Sequence, residues 1–460
     1  MKQWDAIWKV YRRQIVFAKS SAELAEAMTR LESTAQELCL EGEKQYAAEL
    51  ICNIYIDINS SLTAWVLDKN VTPSQKQAAI AFIKELMLKI ATEEQIKDAE
   101  QEVTSIKNSQ FAKIAALTDK GELFTYWGND LCTGVDFSLR RGASFTTSNP
   151  SKINLFRQAE PEQYAAYVKE VMDAHPGLSK EEILSYVTVK VVAQVARKLK
   201  PINEATDGKF GVSFTQVSPF TWNDAVKMRD EVLLWYSEFQ KELNTDKPNV
   251  VFKMPATPAA KKAVKDLLEH KDIRVTLTSN FAAGQHEPFY ELVDKRQPNC
   301  FLVIVDCHLR KFAKPEFEAL GVANPDYYCE KLVWAVYQKC YKKLLERDSF
   351  AMVNGAGMRE DVGIRLCLTK ESKLPYTLTV TPTLAADFDS MERDMSVIWD
   401  TPISDEDMEI LNKSSIFRRA YYEDEFPWDN IQSFEPYKFM MDGFEVAHNA
   451  CLDALPEYEK

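Results

Sequence analysis

One lysine lies in a stretch of sequence where a charged side chain is costly. Lys253 falls within VVFKMPAT, residues 250–257, which has the apolar composition of a short buried strand and is closed by Pro255. Burial disfavours a protonated amine, so a lysine in such a strand has a lowered pKa and is neutral part of the time. A neutral amine attacks a ketone and, with loss of water, forms an imine. The stretch therefore predicts a Schiff-base lysine, with an ordinary solvated residue at a strand end as the alternative.

Nine other polar side chains lie at or near the ends of strand-like runs. They are Asn129, Asp130, Thr147, Asn149, Gln216, Thr276, Thr278, Arg310 and Arg359. Arginine binds phosphate through forked hydrogen bonds, and a carboxylate can take the proton of a sugar hydroxyl. Together with a lysine imine, the set suits cleavage of a phosphorylated ketose between C3 and C4, without a metal or organic cofactor. Each residue alone has a simpler interpretation, because threonines alternate in many strands and an arginine can pair with any of the 69 acidic residues.

The order of the apolar runs predicts the fold that positions these residues. Beyond Leu117, strand-like runs alternate with amphipathic helical segments. The runs are LFTYW, ASFTT, FGVSFTQV, NVVFKM, IRVTLTS, CFLVIVD, SFAMV and YTLTV. Eight strands interleaved with helices predict an α/β protein with a (β/α)₈ TIM barrel. Because barrel active sites lie at the C-terminal ends of the strands, the polar residues are expected to meet at one mouth.

Helical segments flank the predicted barrel on both sides. Residues 1–115 have helical periodicity throughout, and Thr92 with Gln95 has the spacing of a capping box at the start of one helix. The C-terminal residues are helical and acidic. We therefore predict an N-terminal all-helical region over 1–115, a barrel over 116–392 and a helical tail over 393–460 that packs on the mouth or the base of the barrel.

Composition narrows the class of protein. The formal charge of −13 argues against nucleic acid or an anionic membrane as a partner, since both require a basic face. The N-terminus lacks an apolar core of signal-peptide length, and no apolar run approaches the roughly 18 residues of a membrane span. The five histidines are scattered and the nine cysteines form no CxxC pair, so no metal site is predicted. Unclustered thiols in a long chain favour the reducing cytoplasm.

Several of these stretches resemble one enzyme family. FTTSNPSKI, VVFKMPATPAAKKAVKDLL, IRVTLTSNFAAGQ and NGAGMRE are similar to strand motifs of the transaldolases, over roughly residues 123–388. The resemblance implies that Lys253 forms the Schiff base and that Arg310 and Arg359 bind phosphate. It also implies transfer of a dihydroxyacetone unit between sugar phosphates in the pentose phosphate pathway, by a transferase without a cofactor.

The chain departs from the family pattern at the residues that move protons. Transaldolases have a glutamate where Gln216 stands, whereas the related fructose-6-phosphate aldolases have glutamine there together with a strand-six tyrosine. Cys307 occupies the tyrosine position in this chain, and Gly357 replaces a serine of the strand-seven turn. The catalytic acid of the first strand aligns with Asn129 or, after a one-residue slip, with Asp130. An amide cannot accept a proton as a carboxylate does, so Asp130 is the favoured group for proton transfer.

Three functions are compatible with these residues. The first is a transaldolase in which Lys253 is the nucleophile, Asp130 or Asn129 handles the C4 hydroxyl proton, and Gln216 and Thr278 position water and the imine. Substrate contacts are then expected from Thr147, Asn149, Thr276, Arg310 and Arg359. The second is a fructose-6-phosphate-type aldolase or a modified-sugar transaldolase, and the third is a non-catalytic barrel that binds sugar phosphate. The sugars, the role of the N-terminal helices and the formation of a homo-oligomer stay open.

Overall fold

The computed structural model describes residues 3–293, 300–347, 349 and 351–457. Its centre is a closed barrel of eight parallel strands in sequential order. The strands are β1 (Thr125–Asn129), β2 (Phe145–Thr147), β3 (Val212–Gln216), β4 (Val250–Pro255), β5 (Val275–Thr278), β6 (Phe301–Val305), β7 (Met352–Ala356) and β8 (Tyr376–Val380). Each overlaps one of the eight predicted runs, although Phe350 of the seventh run lies outside the described residues. The predicted (β/α)₈ barrel is confirmed.

Seven α-helices precede the barrel and form the N-terminal helical extension. They are α1 (Gln3–Val16), α2 (Ser21–Leu40), α3 (Lys44–Ile58), α4 (Leu67–Asn70), α5 (Pro73–Ile90), α6 (Glu93–Asn108) and α7 (Gln110–Asp119). The predicted capping box at Thr92 is present, since the Thr92 hydroxyl accepts the Gln95 backbone N–H at 3.3 Å. Helices α1 to α6 enclose a hydrophobic cluster separate from the cluster of the barrel, whereas Phe111 and Ile114 of α7 belong to the barrel cluster.

Helices between the strands complete the barrel. They are α8 (Val135–Arg140), α9 (Pro150–Ala159), α10 (Pro161–Ala174), α11 (Lys180–Ala205), α12 (Ala225–Leu243), α13 (Pro258–Leu267), α14 (Ala283–His286), α15 (Tyr290–Val293), α16 (Asp306–Ala319), α17 (Pro325–Glu346) and α18 (Asp361–Leu366). After β8 follow α19 (Pro382–Asp389), α20 (Asp405–Leu411), α21 (Ser415–Tyr421) and α22 (Glu435–Asp453), and short 3₁₀ turns join several elements. None of the helices in the described part of the chain combines the length and apolar composition that crossing a bilayer requires.

The C-terminal helix covers the mouth of the barrel. Met440 and Phe444 of α22 line the same cavity as Lys253, and α22 packs along α9, which follows the second strand. The helical tail predicted to pack on the barrel therefore lies on the mouth rather than on the base. The domain limits at 115/116 and 392/393 stay predictions, and the first two and last three residues of the predicted terminal regions lie outside the described residues.

Strand register sets the height of each side chain within the barrel. In the ladders, Lys253 of β4 lies opposite Gln216 of β3 and Thr276 of β5, and Pro255 lies opposite Thr278. Below them the rings of Phe145, Phe214 and Phe301 contact one another and fill the barrel axis. An apolar layer of this kind closes the interior to solvent from below, so the polar side chains above it share a site open towards the mouth.

Candidate active site

Lys253 lies inside the barrel with its amine sheltered from solvent. Only 6% of the residue is exposed, and Nζ donates a hydrogen bond to the backbone oxygen of Ser148 at 3.2 Å. Burial lowers the pKa of Lys253 from its usual 10.5 to about 8, although the charge of Asp130 acts in the opposite direction. At pH 7 about a tenth of such an amine is neutral, compared with well under a thousandth for a free lysine. The amine is thus both protected and nucleophilic.

A cavity of about 160 Å³ surrounds this amine. Seven of the ten residues predicted for the site line it: Asp130, Thr147, Asn149, Lys253, Thr276, Thr278 and Arg359. They come from five of the eight strands or from the segments directly after them. The structure therefore brings together an amine, a carboxylate, an amide, three hydroxyls and a guanidinium. Asn149 is fixed in place because its side chain also caps α9, accepting the Lys152 N–H at 3.0 Å.

The two candidates on the first strand point in different directions. Asp130 lines the cavity, where its carboxylate accepts a hydrogen bond from the Thr147 hydroxyl at 2.7 Å and lies 3.2 Å from Nζ of Lys152. Asn129 is fully buried away from the cavity, and its amide is satisfied by the backbone oxygens of Leu131 and Thr133. Alternation along the strand places adjacent residues on opposite faces, so only one of the two can face the cavity. In this fold it is Asp130.

Gln216 lies next to Lys253 in the strand ladder but does not line the Lys253 cavity. Its side chain lines a smaller cavity of about 40 Å³ instead. The Gln216 amide oxygen is buried and has no hydrogen-bond partner among the described residues. The predicted contact of Gln216 with the reacting water is therefore not formed directly in this structure.

The two candidate phosphate-binding arginines differ in their surroundings. Arg359 lines the cavity at its rim, and within the described residues its guanidinium donates to the Met358 backbone oxygen at 2.8 Å without an ion pair. Arg310 is not in the cavity wall; its guanidinium pairs with Asp306 and, at 2.7 Å, with Glu360. One nitrogen of Arg310, Nη2, is buried and has no partner in the described part of the chain. Arg359 is thus available to an anion, whereas Arg310 is already engaged by carboxylates.

Some residues of the cavity wall were not predicted. Lys152 in the first turn of α9 adds a second amine to the cavity. Its position three residues after the cap Asn149 was the sequence feature that could have predicted this. Met440 and Phe444 close the cavity from α22, for which the sequence carries no positional signal. Of the described residues that line the cavity, three are lysine or arginine and Asp130 is the one carboxylate. The cavity is therefore locally basic in an acidic chain, as a sugar phosphate requires.

The position of the family's proton-transfer tyrosine holds different chemistry here. Cys307 and His308 line the cavity, and burial raises the pKa of the Cys307 thiol and lowers the pKa of His308 to about 4. Both side chains are consequently neutral near pH 7. Gly357 follows in the strand-seven turn with φ of +68°, and a Cβ there would lie 2.9 Å from a Val305 methyl. A serine at that position would be strained and crowded, which accounts for the glycine.

Metal ligation has no support in the described residues, where no group of three or more His, Cys, Asp or Glu side chains converges.

The comparison with known proteins agrees with the geometry of the barrel. A model of the transaldolase/fructose-6-phosphate aldolase family matches residues 137–415. A search of curated proteins found no match. Since the family match covers more than half of the 460 residues, the chain belongs to the transaldolase/fructose-6-phosphate aldolase family.

Proposed function

We propose that the protein is a transaldolase that moves a dihydroxyacetone unit between sugar phosphates through a Schiff base on Lys253. The observation that carries this proposal is a sheltered amine with a pKa of about 8 in a cavity that also holds Asp130, Asn149 and Arg359. Fructose 6-phosphate and sedoheptulose 7-phosphate, ketoses of the pentose phosphate pathway, are the proposed donors. All nine cysteines are free thiols, which supports the cytoplasm as the proposed location.

The first chemical step forms the imine. The neutral Nζ of Lys253 attacks C2 of the ketose, the resulting carbinolamine takes up one proton from solvent and loses its hydroxyl as water, and a protonated imine remains. The positive imine nitrogen withdraws electrons from the bond between C3 and C4. When that bond breaks, its electron pair forms the enamine of dihydroxyacetone on Lys253, and the remainder of the sugar leaves as an aldehyde.

Asp130 is the proposed base for this cleavage. The C4 hydroxyl must lose its proton as the C3–C4 bond breaks, and a carboxylate in the cavity wall can accept it. The Thr147 hydroxyl and the Lys152 amine hold that carboxylate in one orientation, at 2.7 and 3.2 Å. When the enamine attacks the acceptor aldehyde, the same proton returns to the new alkoxide. Water then hydrolyses the imine and releases Lys253.

Substrate binding divides between the two ends of the sugar. The free amide N–H₂ of Asn149 is proposed to bind the hydroxyls of the dihydroxyacetone part, since its oxygen already caps α9. The Thr276 hydroxyl already makes two hydrogen bonds to the Phe301 backbone, at 2.6 and 2.7 Å, so Thr276 is proposed to support the cavity wall. Thr278 is proposed to bind the water released from the carbinolamine. Arg359 is proposed to bind the phosphate, and Arg310 joins it if phosphate replaces Glu360.

The covered mouth favours transfer over release. An enamine that meets water and a proton gives free dihydroxyacetone, whereas an enamine kept dry persists until an aldehyde arrives. Met440 and Phe444 of α22 place apolar side chains over the cavity that holds Lys253. A fructose-6-phosphate-type aldolase is the second candidate, and the glutamine at position 216 favours it.

Trapping with borohydride tests the proposal. Incubation with fructose 6-phosphate and borohydride is expected to add a reduced dihydroxyacetone unit or the reduced ketose to Lys253, detected by peptide mass spectrometry. Absence of an adduct at Lys253 would refute the proposed mechanism. Product analysis separates the two candidates: glyceraldehyde 3-phosphate that forms only when erythrose 4-phosphate is present as acceptor supports the transaldolase, and equal formation without acceptor supports the aldolase.

A further inference from the structure

A second, smaller cavity lies beside the cavity of Lys253. Its volume of about 40 Å³ exceeds the roughly 10–15 Å³ that one water molecule needs. The two cavities share their walls: α9 contributes Pro150 to the small cavity and Lys152 to the large one, and α22 contributes to both. Gln216 lines the small cavity and is the ladder neighbour of Lys253. The small cavity is therefore a partly polar chamber whose wall includes the strand neighbour of Lys253.

Two groups in this chamber have complementary hydrogen-bonding needs. The amide oxygen of Gln216 is a buried acceptor without a donor among the described residues. Glu231 of α12 lines the same chamber, and one of its carboxyl oxygens accepts the Ser218 backbone N–H at 3.0 Å. A protonated carboxyl has an O–H to donate, and a buried acceptor without a donor is costly. A neutral Glu231 would satisfy Gln216 through a water in the space between them.

The surroundings of Glu231 keep it protonated. Although part of its surface is accessible, desolvation raises the pKa of Glu231 to about 8, against the lowering effect of the Ser218 N–H and with a further raising effect of Glu181. The other titratable groups facing the chamber are His448, which pairs with Glu181 at 2.8 Å, and the Cys451 thiol. No lysine or arginine lines the chamber among the described residues. With no lysine or arginine in the described chamber wall to offset desolvation, the Ser218 N–H alone does not hold the carboxylate form, so the acid form prevails below about pH 8.

We propose that Glu231, acting as a neutral acid, is a positioning residue that orients the amide of Gln216 beside the Schiff-base lysine. The inference rests on the proposed function and extends it to a residue outside the strand motifs. With its oxygen held through a water by the Glu231 O–H, Gln216 directs its N–H₂ group towards the Lys253 side, where it can bind the water of imine formation and hydrolysis. An ionised Glu231 attracts N–H₂ instead, which turns the amide and presents its oxygen to the site.

Substitution of Glu231 by glutamine and by alanine tests this role. The E231Q side chain keeps both a donor for Gln216 and an acceptor for Ser218, whereas E231A keeps neither. Asp230→Asn is the matched control, because it removes a carboxylate from the adjacent, exposed position of the same helix. For each variant, kcat and KM are measured with fructose 6-phosphate and erythrose 4-phosphate between pH 6 and 9.5.

The expected pattern separates positioning from structure. We expect E231A to lower kcat about tenfold with little change in KM, the size of one lost hydrogen bond. We expect E231Q and D230N to retain wild-type kcat at pH 7. Above about pH 8, kcat is expected to decrease in the wild type and in D230N as Glu231 ionises, but not in E231Q. Equal activity of E231A and wild type, equal loss in E231A and E231Q, or an unchanged alkaline limb in E231Q would overturn the proposal.

Failure of this inference is distinguishable from failure of the proposed function. Borohydride trapping at Lys253 of the wild-type protein reports the function alone, whatever the behaviour of Glu231. If E231A does not fold, the alkaline limb of the isosteric E231Q decides the question. A Gln216→Ala variant adds a second check: its kcat is expected to be insensitive to further replacement of Glu231, because the two residues act as one unit.

Discussion

The junction between the N-terminal helices and the barrel buries its charges in pairs, whereas the barrel mouth holds Lys253 without a carboxylate partner in the described residues. At the junction, Asp57 of α3 is fully buried and accepts hydrogen bonds from Arg12 at 3.0 Å, Arg140 at 2.8 Å and the Trp8 indole at 2.8 Å. Arg12 also reaches Asp136 of α8 at 2.5 Å. At the mouth, the Lys253 amine donates to the backbone oxygen of Ser148 at 3.2 Å.

The difference separates groups that hold the structure from groups that react. A buried ion pair fixes the relative position of two elements because removing one member leaves the other desolvated and unpaired. A buried amine without a counter-charge weakens the native state but is the better nucleophile. The junction and the mouth should therefore respond to substitution in opposite ways, the first by losing stability and the second by losing chemistry.

Replacement of Lys253 by methionine is expected to have the largest effect. Activity should fall by on the order of 10⁴-fold or more, because the other amine in the cavity, Lys152, is paired with the Asp130 carboxylate. Stability should rise, since lowering the pKa of Lys253 from 10.5 to about 8 costs on the order of 3 kcal/mol while the amine is protonated. This cost is present below about pH 8 and disappears as the pH rises towards 10.5, because the unfolded chain binds the proton more tightly.

Thermal unfolding at pH 7 and at pH 10.5 measures the stability part of this prediction. The gain in melting temperature of K253M over wild type should be larger at pH 7 than at pH 10.5. A variant that is inactive but also less stable at pH 7 would mean that the amine has a stabilising partner, and the contrast with the junction would fail.

Asp57→Asn tests the junction. We expect a loss of about 3–5 kcal/mol in stability, since Arg12 and Arg140 lose their shared counter-charge in a buried site. Melting temperature checks the loss, and kcat at a permissive temperature should stay within about twofold of wild type because the substitution is remote from Lys253. Glu26→Gln is the control: it removes an exposed pair with Arg30, which is worth about 0–0.5 kcal/mol.

The same distinction applies to the two arginines near the mouth. Arg359→Ala should lower kcat/KM for fructose 6-phosphate about thirtyfold, mainly through KM, because a charge-assisted phosphate contact is worth about 2 kcal/mol. For free fructose the effect should be small. Arg310→Ala should raise KM less and lower the melting temperature more, since Arg310 is already paired with Asp306 and Glu360. Equal effects on KM would show that both arginines bind phosphate to the same extent.

The barrel was predictable from sequence because its strands are buried on both faces. Parallel strands of this kind are nearly continuous apolar runs, so all eight stood out against the amphipathic helices between them. Boundaries were less accurate where polar residues continue a strand: β7 extends through Asn354 and Gly355, beyond the end of the predicted run SFAMV. The cap at Thr92 was predictable because it depends only on local spacing.

Within the site, the position of a residue along its strand could be predicted from the sequence, but contacts between residues distant in the chain could not. Lys253 and Asp130 could be proposed from their positions at strand ends, but the choice between Asn129 and Asp130 needed the facing direction of β1, which a one-residue slip reverses. The ion pairs of Arg310 and the cover of α22 depend on residues brought together by the tertiary fold. Glu231 carried no signal at all, because its importance depends on which acceptor shares its cavity.

The pH dependence of imine formation has the smallest expected effect and sharpens the comparison most. Reaction requires the neutral amine, so the rate of borohydride trapping at low ketose concentration should rise with pH and level off above about 8, a gain of about tenfold between pH 7 and 9.

Lys152→Met should move the midpoint of this pH profile to higher pH, because the charge of Lys152 lowers the pKa of Lys253 whereas the charge of Asp130 raises it. Removal of Lys152 also leaves Asp130 free to pair with the Lys253 amine. The exposed Lys261→Met is the control and should leave the midpoint unchanged. A wild-type midpoint near 10.5 would mean that the protonated Lys253 amine is stabilised by a partner, as the buried charges of the junction are.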